Sequence, residues 1–107
     1  MLTIFIPTYN RKDKLISCLN SITDYDWFIS YEIIVADGGS TDGTVEYLRS
    51  RDDIILIEQK QRSGAITAIN LCVELSKGKH VAGINDDMII YPKVFIDAYN
   101  LLEEHGN

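Results

Sequence analysis

Four short apolar runs alternate with segments whose apolar residues recur at helical spacing. That alternation constrains the fold of this 107-residue chain more than any other feature. The runs are Leu2 to Ile6, Glu32 to Ala36, Ile54 to Ile57 and His80 to Ile84. Their nearly continuous apolar character is that of strands covered on both faces. Such strands, joined by helical crossovers, form a parallel sheet with helices on both sides. The predicted class is therefore α/β, a three-layer α/β/α arrangement in the order β-α-β-α-β-α-β-α. No repeat, linker or low-complexity stretch interrupts the series, so residues 1–107 read as a single domain.

The helices carry their own start and stop signals. Asn10 is predicted to cap a first helix, with Asp13 near the positive end of its dipole. Leu15, Leu19 and Ile22, with Ile16 and Cys18, form its buried face. Trp27 and Phe28, in an aromatic connection from Tyr25 to Ser30, cover the core or the sheet edge. The segment Asp37-Gly38-Gly39-Ser40-Thr41-Asp42-Gly43-Thr44 has the signals of a tight strand-to-helix turn, with Ser40 or Thr41 as cap and Asp42 in the first turn. The helix after it reaches about Ser50 and turns Val45 and Leu48 inward. Ser63 caps a helix from Gly64 to Lys77 that buries Ile66, Ile69 and Val73, with Ala65, Ala68 and Cys72 allowing close approach, and Gly78 stands where a left-handed helix stop is preferred. Pro92 opens a last helix, Lys93 to Glu104, with Val94, Ile96, Ala98, Leu101 and Leu102 on its apolar side. Met88 and Tyr91 are predicted to pack under the turn before it, and His80 to be structural.

With 46% hydrophobic residues, a chain of this size has enough apolar surface for a core. Ten Lys and Arg against 16 Asp and Glu give a net charge of −6. That balance excludes nucleic acid as a partner, because no basic run overcomes the repulsion of phosphates. Of two small basic clusters, Arg11-Lys12 with Lys14 and Lys60 with Arg62, either could meet a small anionic ligand, with solvated surface the favoured reading of the first. Cys18 and Cys72 read as free buried thiols. The N-terminus has no charged leader or cleavage site, and no apolar run approaches the ~20 residues of a membrane span. The expectation is a soluble, cytoplasmic chain.

Ligands of open parallel sheets bind at the carboxyl ends of the strands. Those ends carry Pro7-Thr8-Tyr9-Asn10, Asp37-Gly38-Gly39-Ser40, Gln59 to Arg62, and Asn85-Asp86-Asp87. Two adjacent carboxylates repel each other unless a cation or donors balance them. Hard oxygen ligands of this kind suit Mg²⁺ or Mn²⁺ held together with substrate phosphates; the other reading of Asp86-Asp87 is an acidic cap of the next helix. A carboxylate at Asp37 would oppose a phosphate, and is better used accepting from an N–H or hydroxyl of a nucleobase or ribose. Neither a Gly-x-Gly-x-x-Gly turn after the first strand nor a P-loop is present, which disfavours dinucleotide and P-loop folds.

Together, Ile4 to Arg11, Ile33 to Thr44, Gly64 to Asn70 and Asn85-Asp86-Asp87 resemble the family 2 inverting glycosyltransferases, in the N-terminal, nucleotide-sugar-binding half of their GT-A fold. The resemblance covers nearly the whole chain. It implies a Rossmann-like, mostly parallel sheet in the order 3-2-1-4 and a nucleotide-diphospho-sugar as ligand, most simply a UDP-sugar. Pro7 and Tyr9 would line the base pocket, Asp37 would accept from the base, and Arg62 would meet the diphosphate or base. Asp87 is implied as metal ligand and Asp86 as ribose partner and second metal ligand, the metal being Mn²⁺ or Mg²⁺.

The departures have consequences. The family often has two acids where this chain has Asp37-Gly38, and Asn85 replaces the first acid of an Asp-x-Asp motif. The acceptor site and catalytic base belong to a later half of the family's fold, so no catalytic base is assigned; Asp97, Glu103 and Glu104 lie on a terminal helix. The chain is thus expected to be a truncated donor-binding domain of a glycosyltransferase, or else a nucleotide-binding module that transfers nothing. A receiver-type signalling domain shares the alternation but needs an acidic pair after the first strand, where this chain has Pro7-Thr8-Tyr9. An uncovered fourth strand would favour a homodimer or higher oligomer.

Overall fold

The structure is a computed structural model that describes residues 1–27, 29–59 and 65–104, with the side chains of 65–68 left aside. Phe28, Arg62, the Ser63 cap and the Gly64 helix start lie outside the described residues. The elements are β1 (Leu2–Thr8), α1 (Lys12–Thr23), β2 (Tyr31–Asp37), α2 (Thr44–Arg49), β3 (Ile55–Glu58), α3 (Ala65–Leu75), β4 (His80–Gly83) and α4 (Pro92–Glu104). The strands form one parallel sheet in the order β3-β2-β1-β4.

Alternation along the strands divides the core in two. Leu2, Ile4 and Ile6 of β1, with Ile33 and Val35 of β2, meet Leu15, Cys18, Leu19 and Ile22 of α1 and Leu48 of α2. Phe5, Ile34, Ala36 and Ile57 face the other way, onto Cys72 and Leu71 of α3. The layers are therefore α/β/α, with α3 the one described helix on the second side. Trp27 is 2% exposed, and its indole N–H donates to the Ile22 carbonyl at 2.8 Å while its ring meets Tyr31 and Phe95.

β1 runs two residues past the expected stop, because Pro7 is tolerated inside it. Phe5 points its carbonyl toward β4, where it accepts from the Ile84 N–H. Pro7 points the same way, beyond the last residue that β4 pairs, so its missing N–H breaks no ladder bond.

Several packing expectations are overturned. Ile69 and Val73 of α3 are 49% and 60% exposed; Cys72, expected to allow close approach, does face the sheet, and Leu71 joins it. On α4 the inward residues are Pro92, Phe95, Ile96 and Tyr99, while Val94, Leu101 and Leu102 are exposed. Met88 and Tyr91 are exposed as well, and Ile90 takes the buried place, its N–H donating to Ser21 Oγ at 2.9 Å. The two cysteines are free and buried, as expected.

Gly78 is needed for a reason other than handedness. It does not have positive φ, which among described glycines belongs to Gly39 and Gly43. A Cβ there would lie 2.3 Å from Thr3 Oγ1 and 2.7 Å from the Thr3 nitrogen. The turn packs directly on β1: Gly78 N–H donates to Thr3 Oγ1, which donates to Glu32, and Glu32 also accepts from the Lys77 N–H at 2.6 Å.

Candidate functional site

The carboxyl ends of β1, β2 and β4 meet at one edge of the sheet. Thr8 and Asp37 are paired in the β1–β2 register, and both belong to the parity that faces α1. The loops leaving these two strands are laced together by side chains. Asn10, at φ +50, donates its N–H to Ser40 Oγ and accepts from the Thr41 N–H through Oδ1, both at 2.8 Å. Asparagine tolerates that left-handed backbone better than other non-glycine residues, so its place here is a bend and not the expected helix cap. α1 has Arg11 at its N-cap with no side-chain cap, and the Lys12 N–H is taken by Asp42 Oδ2 at 3.1 Å. Asp42 Oδ1 also accepts from the Thr44 N–H and hydroxyl. One carboxylate thus serves the first turns of two helices, while the cap position of α2 is Gly43, in place of the expected Ser40 or Thr41, and has no side-chain cap. Those bonds outweigh the small cost of burial and hold the Asp42 carboxyl below its ordinary range.

Asp37 is 1% exposed. Its Oδ2 accepts from the Gly39 and Ser40 N–H groups at 2.9 and 2.8 Å, and its Oδ1 accepts from the Ser40 hydroxyl. The carboxylate therefore shapes its own loop, with the acceptor capacity of a fourth lone-pair site on Oδ1 not taken by any of the described residues. Pro7 is exposed and Tyr9 is 39% exposed at the same edge.

After β4 the chain makes a turn with Asp86 and Asp87 at its centre, closed by the Met88 N–H on the Asn85 carbonyl at 3.2 Å. The two acids have different surroundings. Asp86 is 6% exposed, and its Oδ2 accepts from the Thr8 hydroxyl at 2.8 Å. The Asp87 side chain is 45% exposed. Between them lies Arg11, whose Nη1 is 3.5 Å from Asp86 Oδ1 and 3.6 Å from Asp87 Oδ2. These are ion pairs longer than hydrogen bonds. Beneath the turn, burial first and then the charges of Asp86 and Asp87 push the Cys18 thiol up to about 11. An open depression beside Asp87 is lined by Asp13, Lys14, Ser17 and Ile89.

The structure therefore brings together Pro7, Tyr9, Asp37, Asp86 and Asp87, while Arg62 lies outside the described residues. Thr8 and Arg11 belong to the site without having been singled out. Arg11, expected to be solvated surface, is a partner of both acids. The alternation of β1, which puts Thr8 beside Ile6 and Ile4 on one face, was the available signal for Thr8, and the basic cluster with Lys12 and Lys14 was the one for Arg11. On α4, Glu103 pairs with Lys79 and lies near His80, at the amino end of β4 and the opposite edge of the sheet.

Among the described residues, no group of three or more His, Cys, Asp or Glu side chains is arranged to hold a metal. Two adjacent carboxylates, one buried and one at the mouth, form a donor set for a cation that brings phosphate and water ligands of its own. To that extent Asp86 and Asp87 fit Mn²⁺ or Mg²⁺. Among the described residues, no helix is long and apolar enough to cross a membrane.

Residues 3–107 match the family described as Glycosyl transferase family 2. The chain is 34% identical over 98 residues to the uncharacterized glycosyltransferase YibD of Escherichia coli (strain K12), covering 88% of this chain and 28% of that protein. It is 32% identical over 90 residues to glycosyltransferase AglE of Haloferax volcanii, covering 79% of this chain and 30% of AglE. Of solved structures, S. aureus TarS 1-349 in complex with UDP-GlcNAc superposes with a TM-score of 0.79 at 26% identity, over 97% of this chain and 31% of that one. The mannosyltransferase PcManGT from Pyrobaculum calidifontis, in complex with GDP-Man and Mn²⁺, gives 0.80 at 27% identity, over 94% of this chain and 32% of that one. The chain spans less than a third of the length of each of these proteins. By sequence, sheet order and superposition, it belongs to glycosyl transferase family 2 and corresponds to the N-terminal, Rossmann-like part of a GT-A fold.

Proposed function

We propose that this chain is the donor-binding domain of a glycosyltransferase, holding a nucleotide-diphospho-sugar with a divalent metal for transfer of the sugar to an acceptor. The observation that carries this reading is the convergence of Tyr9, Asp37 and the Asp86–Asp87 turn at one sheet edge, tied by the Thr8–Asp86 hydrogen bond. In this reading Pro7 and the Tyr9 ring line the base, and the free acceptor capacity of Asp37 receives a base N–H. Arg62 meets the diphosphate or base. Asp86, held by Thr8, faces the ribose, and Asp87, at the mouth, holds the metal with help from Asp86. Mn²⁺ or Mg²⁺, when bound, supplies Lewis-acid stabilisation of charge on the departing diphosphate. UDP is the first nucleotide to test, because UDP-GlcNAc is bound by the similar TarS. The working location is the cytoplasm. Exposed Ile69 and Val73 on α3, and Val81 on the same side of β4, support self-association.

The test is calorimetry of UDP with Mn²⁺ on the wild type and on Asp87→Ala. Loss of the mouth carboxylate is expected to weaken binding by about tenfold or more, some 1.4 kcal/mol. Binding that survives Asp87→Ala unchanged removes the metal assignment. Tight binding without transfer to any acceptor favours a nucleotide-binding module.

A further inference from the structure

We propose that Arg11 is a built-in counter-cation of the Asp86–Asp87 pair and couples the holding of a divalent metal to the presence of its diphosphate. This rests on the donor-binding reading above and assigns a role to a residue that reading does not use. Asp86 and Asp87 are neighbours on one turn, and the Thr8 hydroxyl satisfies Asp86 without neutralising it. The cation that stands between them is Arg11, 3.5 and 3.6 Å from the two carboxylates.

The main chain that carries Arg11 is fixed on every side. Asn10 before it is bound to Ser40 and Thr41, and Lys12 after it to Asp42. The guanidinium itself is free of capping duty, and its side chain is 51% exposed. A fixed root and a half-exposed head let the charge turn away from the acids without moving the loop.

The consequence is an exchange of partners. To a bare divalent cation, Arg11 must give up both carboxylates with no new anion for its own charge. When the cation arrives with a diphosphate, Arg11 gives them up for phosphate oxygens at the same edge, where a guanidinium pairs well. Metal and nucleotide thereby help each other to bind, and the coupling is reciprocal.

The full chain and its Arg11→Gln, Arg11→Met and Arg11→Lys variants are titrated by calorimetry with Mn²⁺ alone and with Mn²⁺ at saturating UDP, circular dichroism reporting the fold. The two neutral variants are expected to bind Mn²⁺ alone about three- to tenfold more tightly than the wild type, the scale of long ion pairs made by a half-exposed guanidinium. The gain in Mn²⁺ affinity that UDP confers is expected to shrink by a similar factor, and Arg11→Lys to stay close to the wild type. Folded neutral variants that bind Mn²⁺ alone no better than the wild type overturn the proposal. So does an unchanged UDP-dependent gain. A wild type that binds no UDP in either condition sinks the donor reading instead, and the Mn²⁺-alone comparison still decides whether Arg11 competes for the acids.

Discussion

Thr8→Val removes one hydroxyl from the site and changes little else in shape. The lost donor lies 2.8 Å from Asp86 Oδ2, and both residues are 6% exposed. A hydrogen bond to a charged acceptor contributes about 1.5–3 kcal/mol, and its removal leaves a buried carboxylate oxygen with no donor among the described residues. Arg11 remains near the other oxygen, but at 3.5 Å and half exposed it offsets only part of the loss. A cost of about 2 kcal/mol follows. With an unfolding entropy of about 2.1 cal/mol/K per residue, a 107-residue chain should lose about 9 °C in Tm. Calorimetric melting and urea denaturation measure it, and the double variant Thr8→Val with Asp86→Val tests the cause. An apolar pair should recover much of the stability while nucleotide binding stays lost. If Thr8→Val melts within about 2 °C of the wild type, or if the two substitutions add without coupling, the hydroxyl does not support Asp86 and the reasoning fails.

Two further perturbations probe the frame around the site. Gly78→Ala should lower the urea midpoint by the equivalent of about 1–3 kcal/mol, because its Cβ meets the backbone nitrogen of Thr3 as well as the hydroxyl. Removing the hydroxyl as well, with Thr3→Ala, should not restore it, and a full rescue would show that the clash is with the side chain alone. Cys18 titrates at about 11 in the folded chain against an ordinary value near 9, so the unfolded chain gives up that proton first. Its contribution to stability is complete below about pH 9 and lost as pH rises through about 11, and Cys18→Ala should flatten that alkaline decline in denaturation midpoints.

How much of this was legible in advance varies with the physics of each element. Strand runs announce themselves because both faces of a central parallel strand are buried, so composition alone marks β1 and β2. The inward face of α1 was equally clear, since its apolar residues form one stripe and its other sides are polar. α3 gave no such stripe: from Ala65 to Val73 it is apolar nearly all round, and nothing local says that Leu71 joins Cys72 on the sheet in place of Ile69 and Val73. α4 misled through Leu101 and Leu102, because its contact with the core is made near its start by Phe95, Ile96 and Tyr99.

The sequence by itself determined the α/β class, the order of elements and the acidic groups at the strand ends, because those follow from periodicity and from where each strand must stop. Only the tertiary structure decided how these groups divide their work. Asp37 spends three acceptor positions on its own loop, Asp42 serves the first turns of two helices, Asp86 is buried under Thr8 while Asp87 stays at the mouth, and Arg11 stands between them. The contacts of Asp42 with Lys12, of Asp86 with Thr8 and of Arg11 with the two acids join segments far apart in the chain. Electrostatic and hydrogen-bond partners are set by distance in space, which a linear pattern of residue types does not contain.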